Sequence, residues 1–191
     1  MPLLDSFVIW NNKGGVGKTT LSFHMATQYA KRHPDRNVLV LDLCSQANVS
    51  IAMLGTEQTL PFLFSKGKTI GSYLQQATSF PKLFSSVNPL NSQPFLTQVS
   101  HFNTQILGNV KLLCGDMYLE SVSRSLEHKR QADPNSWISI TSCFRYLIEG
   151  CRPDRAGMQQ PRHSPPTGSF LLTQTLLSQR TPKWLWSQHR S

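Results

Sequence analysis

A chain of 191 residues has room for one domain with its own hydrophobic core and excludes a second complete one. Its 39% hydrophobic and 15% charged residues fall below the usual globular shares of about 45% and 25%, so full order along the whole length is not expected. The net charge of +9 is uneven: residues 1–150 carry 13 Lys+Arg against 9 Asp+Glu, and residues 151–191 carry 6 against Asp154 alone, a basic excess that favours nucleic acid or an anionic surface without choosing between them.

Phe7 to Trp10 is a short apolar run ending in Asn11 and Asn12, the pattern of a buried parallel strand before a loop. From Lys18 to Arg32 the residues Leu21, Met25 and Tyr29, with Ala26 and Ala30, recur at helical spacing, and Pro34 stops the pattern. Asn37 to Leu43, NVLVLDL, reads as a central parallel strand with one acid near its end. Strand, loop, helix and strand make a βαβ unit. A short helix is expected over Ser50 to Leu54, mixed loop over Thr56 to Lys68 and a helix over Ile70 to Ala77. Residues 79–109 are rich in Ser, Asn, Gln and Pro and give no assignment beyond a strand near Phe95 to Val99.

Val110 to Cys114 gives a further strand, closed by Gly115 and by Asp116, which is placed to cap a helix through Leu119, Val122, Leu126 and Arg130. Trp137 to Glu149 reads as another helix, ended by Gly150. The composition then changes: PRHSPP and its surroundings have no periodicity and argue disorder. FLLTQTLLSQRTPKWLWSQHRS is apolar in patches and interrupted by Pro182. The expected division is residues 1–150 as part of a folded domain and 151–191 as a basic, proline-rich tail, disordered or non-homologous.

The chemistry sits in KGGVGKTT at 13–20, between the first strand and the first helix. Glycines 14, 15 and 17 can take φ > 0 and carry no side chain, so successive N–H groups can converge on phosphate oxygens, aided by the positive end of the helix. Lys18 can set an ammonium on the β/γ-phosphates, the Thr19 hydroxyl is placed for Mg²⁺, and Thr20 can bond a further phosphate oxygen. A glycine turn without a ligand would not need two lysines and two threonines.

The ordinary phosphate-loop pattern would place glycine where this chain has Asn12. With Lys13 ahead of two glycines, KGGVGKT resembles the deviant Walker A motif of the ParA/MinD family. DLCSQANVS at 42–50 resembles that family's D-x-D-P-Q-x-N segment, with Asp42, Gln46 and Asn48 matching, Cys44 in place of the second acid and Ser45 in place of proline. VKLLCGDMYLESVSRSLE at 110–127 is similar to its strand and helix before Walker B. The resemblance spans about residues 6–150.

It implies an α/β, three-layer, P-loop NTPase-like fold with a mostly parallel sheet flanked by helices, incomplete on the C-terminal side. It also implies binding of ATP and Mg²⁺ by Lys13, Gly14, Gly15, Val16, Gly17, Lys18, Thr19 and Thr20. Catalytic parts fall to Lys13, acting on the partner subunit's nucleotide, to Lys18 and to Asp42; Thr19 would ligate the metal and Asp42 would lie beside its shell. The partners implied are an ATP-dependent homodimer, nonspecific DNA and a ParB-like protein, in plasmid or chromosome partition. Loss of the acid at position 44, which helps place the attacking water, makes binding a safer expectation than hydrolysis.

Two alternatives stand beside this. An inert nucleotide-binding or interaction module would fit Cys44 and the lack of a strand ending in the Walker B acid. An iron-sulfur carrier on the same loop would need paired thiolates, and Cys44, Cys114, Cys143 and Cys151 contain no CxxC pair and no metal spacing with the histidines. Free thiols in a reducing cytoplasm are expected, with nucleoid association a further possibility of the resemblance. No secretory signal and no apolar run of the roughly 18 residues needed to span a bilayer are visible. The tail is read as a truncation or frame-shift product, against a competing reading of Lys183, Trp184 and Trp186 as a membrane or nucleic-acid anchor.

Overall fold

The computed structural model describes residues 5–11, 13–79, 93–132, 147 and 169–175. In chain order these form β1 (Asp5–Trp10), α1 (Lys18–Arg32), β2 (Asn37–Leu43), α2 (Asn48–Leu54), α3 (Thr59–Ser65), α4 (Ile70–Ser79), β3 (Thr97–Gln98), β4 (Asn109–Leu113), α5 (Leu119–Ala132) and β5 (Ser169–Thr175). The five strands make one sheet in the order β1-β5-β2-β4-β3, parallel except for the short β3–β4 pair.

β2 shows why the sheet is covered on both sides. Successive strand side chains point to opposite faces: Val38 and Val40 enter a core with Ala26 and Ala30 of α1 and Val49, Met53 and Leu54 of α2. Leu39, Leu41 and Leu43 enter a second core with Ile70, Tyr73 and Leu74 of α4 and Leu126 of α5. The fold is therefore the three-layer α/β arrangement of a P-loop NTPase, with a small, mostly parallel sheet between helices.

α1 and β2 occupy the spans read from the sequence, and α2 starts two residues earlier than Ser50. Thr56 to Lys68, expected as loop, contains α3. Pro61 lies in its first turn, where no helical N–H is needed. Leu60 and Leu63 are buried three residues apart, and bonds from Gly67 N to Phe64 O (2.9 Å) and from Lys68 N to Leu63 O (2.9 Å) close it in a Schellman motif. The strand expected near Phe95 to Val99 is reduced to Thr97–Gln98 between two 3₁₀ turns. The expected helix 137–149 lies outside the described residues except for Leu147, which is helical and fully buried.

The main correction concerns the tail. The sequence reading keeps residues 151–191 out of the sheet, but Ser169–Thr175 forms β5, parallel to both β1 and β2 and between them. A run of seven strand residues meets two strands whose backbone groups need partners, and central insertion satisfies both. Among the described residues β5 is the only strand paired with β1.

Candidate functional site

The site lies at the C-terminal ends of the parallel strands. β1 ends at Trp10, and the Asn11 Oδ1 accepts the Lys13 N–H at 2.9 Å, starting the turn. Gly15 (φ 71°) and Gly17 (φ 81°) hold left-handed conformations that a side chain would strain. A Cβ built on Gly14, Gly15 or Gly17 would meet no atom within 4 Å, so the turn has open space in front of it. Gly17 is the N-cap of α1 and supplies no side-chain cap, and no acid stands in the first helical turn. The positive end of the dipole is thus unopposed by local carboxylates.

Lys18 is buried, with 7% of its surface exposed, and its Nζ donates to the Lys13 carbonyl oxygen at 2.7 Å, reaching back across the loop. Ser22 Oγ donates to the Lys18 carbonyl at 2.8 Å and steadies the first turn from below. Lys13, Val16 and Thr20 are exposed and Thr19 is half-buried.

Asp42 enters the same region through the sheet register. Thr175 of β5 pairs with Trp10 on one side and Leu43 on the other, so the end of β2 is level with the start of the loop, two strand spacings or roughly 10 Å away. Asp42 is fully buried. Its Oδ2 accepts from the Ser50 N–H (2.9 Å) and the Ser50 hydroxyl (2.7 Å), whereas Oδ1 has no hydrogen-bond partner among the described residues. Burial pushes its pKa up to about 6, against the pull of the Ser50 bonds.

Cys44, which stands where the segment that 42–50 resembles would have its second acid, is buried, and burial followed by the Asp42 charge pushes its thiol pKa up. Cys114, just past β4, is pushed up to about 12, chiefly by burial. Protonated, enclosed thiols are poor nucleophiles. Gln46 and Asn48 meet each other, Nδ2 of Asn48 donating to Oε1 of Gln46 at 3.0 Å. Between them Ala47 holds φ 53°, a left-handed value, and its N–H donates to the Cys44 carbonyl at 3.1 Å.

Two residues of this region carry more than their letters indicate. Ser50, eight positions after Asp42, ties that carboxylate to β4, because its Oγ also accepts the Gly115 N–H at 2.9 Å. Its only sequence signal is a small hydroxyl in the first turn of a short helix. Asp116, expected as a helix cap, accepts from the Tyr118 N–H at 2.8 Å and, at its other oxygen, from the Thr69 hydroxyl, pinning the start of α4 to the end of β4.

β5 ends in Gln174 and Thr175, with Gln174 paired to Asp42, so this strand does not carry the Walker B acid that the sequence reading finds lacking. Lys183, Trp184 and Trp186 lie outside the described residues. Among the described residues no three His, Cys, Asp or Glu cluster in a metal-holding group, and no helix is long and apolar enough to cross a membrane. The residues present fit a magnesium nucleotide nonetheless. The open glycine cradle and two lysines suit a polyanion, and a buried carboxylate oxygen without a described partner suits the water shell of a cation.

A family model described as an AAA domain matches residues 5–156. No curated protein matches the chain. Among solved structures it is similar to protein DIP2308 from Corynebacterium diphtheriae, with a TM-score of 0.58 and 20% identity over 90% of this chain and 52% of that one. The chain spans about half the length of that protein, and a likeness at this identity is one of fold.

Proposed function

The chain belongs to the AAA-domain family, and from that premise we propose that it binds ATP with Mg²⁺ as a nucleotide-dependent dimer of the ParA/MinD type. The observation that carries the reading is the turn itself: Gly15 and Gly17 at positive φ lead from β1 into an acid-free helix N-terminus, with the Lys18 ammonium drawn over the loop.

In this reading the loop N–H groups of residues 14–18 hold the phosphates and Lys18 exchanges its bond with the Lys13 carbonyl for one to a phosphate oxygen. Thr19 would present its hydroxyl to the cation, and Asp42, through Oδ1, would hold water of the cation's shell. A bound triphosphate would supply the phosphoryl group and the negative charge, which Mg²⁺ and the two lysines would neutralise together. The exposed side chain of Lys13 is free to reach across a dimer interface, as the ParA/MinD resemblance implies. Coupling of the ATP state to nonspecific DNA and to a ParB-like partner, in plasmid or chromosome partition, belongs to the same proposal, and the net charge of +9 supports contact with DNA.

The test is calorimetric titration of Mg-ATP into the full chain and into Lys18→Ala, followed by DNA retention with and without ATP. Binding that Lys18→Ala loses supports the reading; no heat from a folded sample at millimolar nucleotide removes it.

A second reading, nucleotide binding without turnover, is favoured by one pair of observations. Cys44 is a buried thiol where a water-placing acid would stand, and β5 ends without an acid beside Asp42. ATP affinity with no phosphate release over hours would select it; steady release would reject it.

A further inference from the structure

Ser50 has no exposed surface and joins the ends of two strands. The Gly115 N–H donates to its Oγ at 2.9 Å, and that hydroxyl, having a single proton, passes it to Asp42 Oδ2 at 2.7 Å. The Ser50 N–H reaches the same Oδ2 at 2.9 Å. Two donors on one oxygen fix the rotation of the carboxylate and leave Oδ1, buried and without a described partner, as the oxygen available to the site. The far end of the relay is equally confined: a Cβ on Gly115 would lie 2.5 Å from the Cys44 carbonyl oxygen and 2.9 Å from the Ala47 Cα. The β4 end therefore has little room to move independently of the turn that follows β2.

We propose that Ser50 is a positioning residue of the nucleotide site, holding Asp42 in the one rotation that frees Oδ1 and passing a change of charge at Asp42 to the Gly115 amide at the end of β4. The inference rests on the ATP-binding reading of this site. Charge drawn from the carboxylate through Oδ1 weakens Oδ2 as an acceptor, relaxes the Ser50 hydroxyl and alters the bond from Gly115; hydrogen bonds in series polarise one another in this way. The signal leaves the β2 side at Asp42 and arrives where Asp116 begins the approach to α5.

The experiment uses the full chain labelled with ¹⁵N-glycine, following the Gly115 amide resonance as ATP and then Mg²⁺ are added, with ATP affinity measured calorimetrically with and without Mg²⁺. In the unaltered protein the Gly115 resonance is expected to move when Mg²⁺ joins ATP. Ser50→Ala is expected to lose about tenfold or more of the Mg²⁺-dependent gain in affinity while keeping the Mg²⁺-free affinity, and its Gly115 resonance no longer to respond. Ser50→Thr, which keeps the hydroxyl, restores both. A full Mg²⁺-dependent gain in Ser50→Ala, or an equal loss with and without Mg²⁺, overturns the inference while leaving ATP binding intact. No ATP binding by the unaltered chain overturns the ATP reading and this inference with it. Should Ser50→Ala not fold, Ser50→Cys, a weaker donor, carries the same comparison: a reduced gain supports the relay, and an undiminished gain overturns it.

Discussion

The Lys18 ammonium donates to the main-chain carbonyl of Lys13 at 2.7 Å, so the two lysines of the loop are joined before any ligand is considered. The side chain of one closes over the backbone of the other, and only the Lys13 ammonium is left on the exposed surface.

That difference separates the two lysines experimentally. A hydrogen bond to a charged group is worth about 1.5–3 kcal/mol, so Lys18→Ala should weaken ATP binding by roughly 10- to 100-fold in calorimetry. Lys13→Ala should leave affinity within about threefold and instead reduce ATP-dependent dimerisation in sedimentation. Equal loss of affinity in both variants would contradict this division.

Asp42 predicts a pH dependence of stability. Its folded pKa lies near 6, above the ordinary 3.8, because burial disfavours the charged form. The folded state therefore holds a proton that the unfolded state has released between about pH 4 and 6. Asp42 costs nothing below that window, an increasing amount through it and the full amount above, of order 3 kcal/mol. Asp42→Asn should be more stable than the unaltered protein at pH 7.5 and closely matched at pH 4, by urea unfolding at both. A stability difference independent of pH would count against it.

Two glycines should respond oppositely to the same substitution. Gly115→Ala meets backbone atoms of Cys44 and Ala47 and should destabilise the protein by about 3 kcal/mol, lowering its melting temperature by several degrees. Gly14→Ala meets nothing within 4 Å and should leave melting unchanged, yet its methyl stands where phosphate would approach, so ATP affinity should fall. A melting scan and one titration per variant check both.

β5 is the described partner of β1, and a proline at its centre would remove a ladder N–H. Leu172→Pro should therefore abolish hydrogen-exchange protection in Asp5–Trp10 and reduce ATP binding, while the β2–β4 pair keeps protection. Unchanged exchange in β1 would show that the strand is held by other means.

What the sequence made legible was whatever is written locally. The spacing of Leu21, Met25, Ala26, Tyr29 and Ala30 specifies α1, the unbroken NVLVLDL specifies β2, and the glycines and lysines of the loop carry their chemistry in their spacing. α3 was hidden because Pro61 resembles a breaker unless it is known to fall in a first turn. β5 was hidden for a different reason: SFLLTQT follows a proline-rich stretch, and the strands that make it worth ordering are far away in sequence. Ser50 is a further case, since no pattern of letters tells a solvated hydroxyl from one that links Asp42 to Gly115.

The placement of β5 also orders events at the ribosome. β1, with Phe7, Val8 and Trp10 each about two-fifths exposed even in the folded chain, is synthesised long before the strand it pairs with. Contacts between such distant segments form slowly. During that interval the β1 segment is a candidate for chaperone capture, and completion of the sheet beside the glycine turn becomes a late acquisition of the nascent polypeptide.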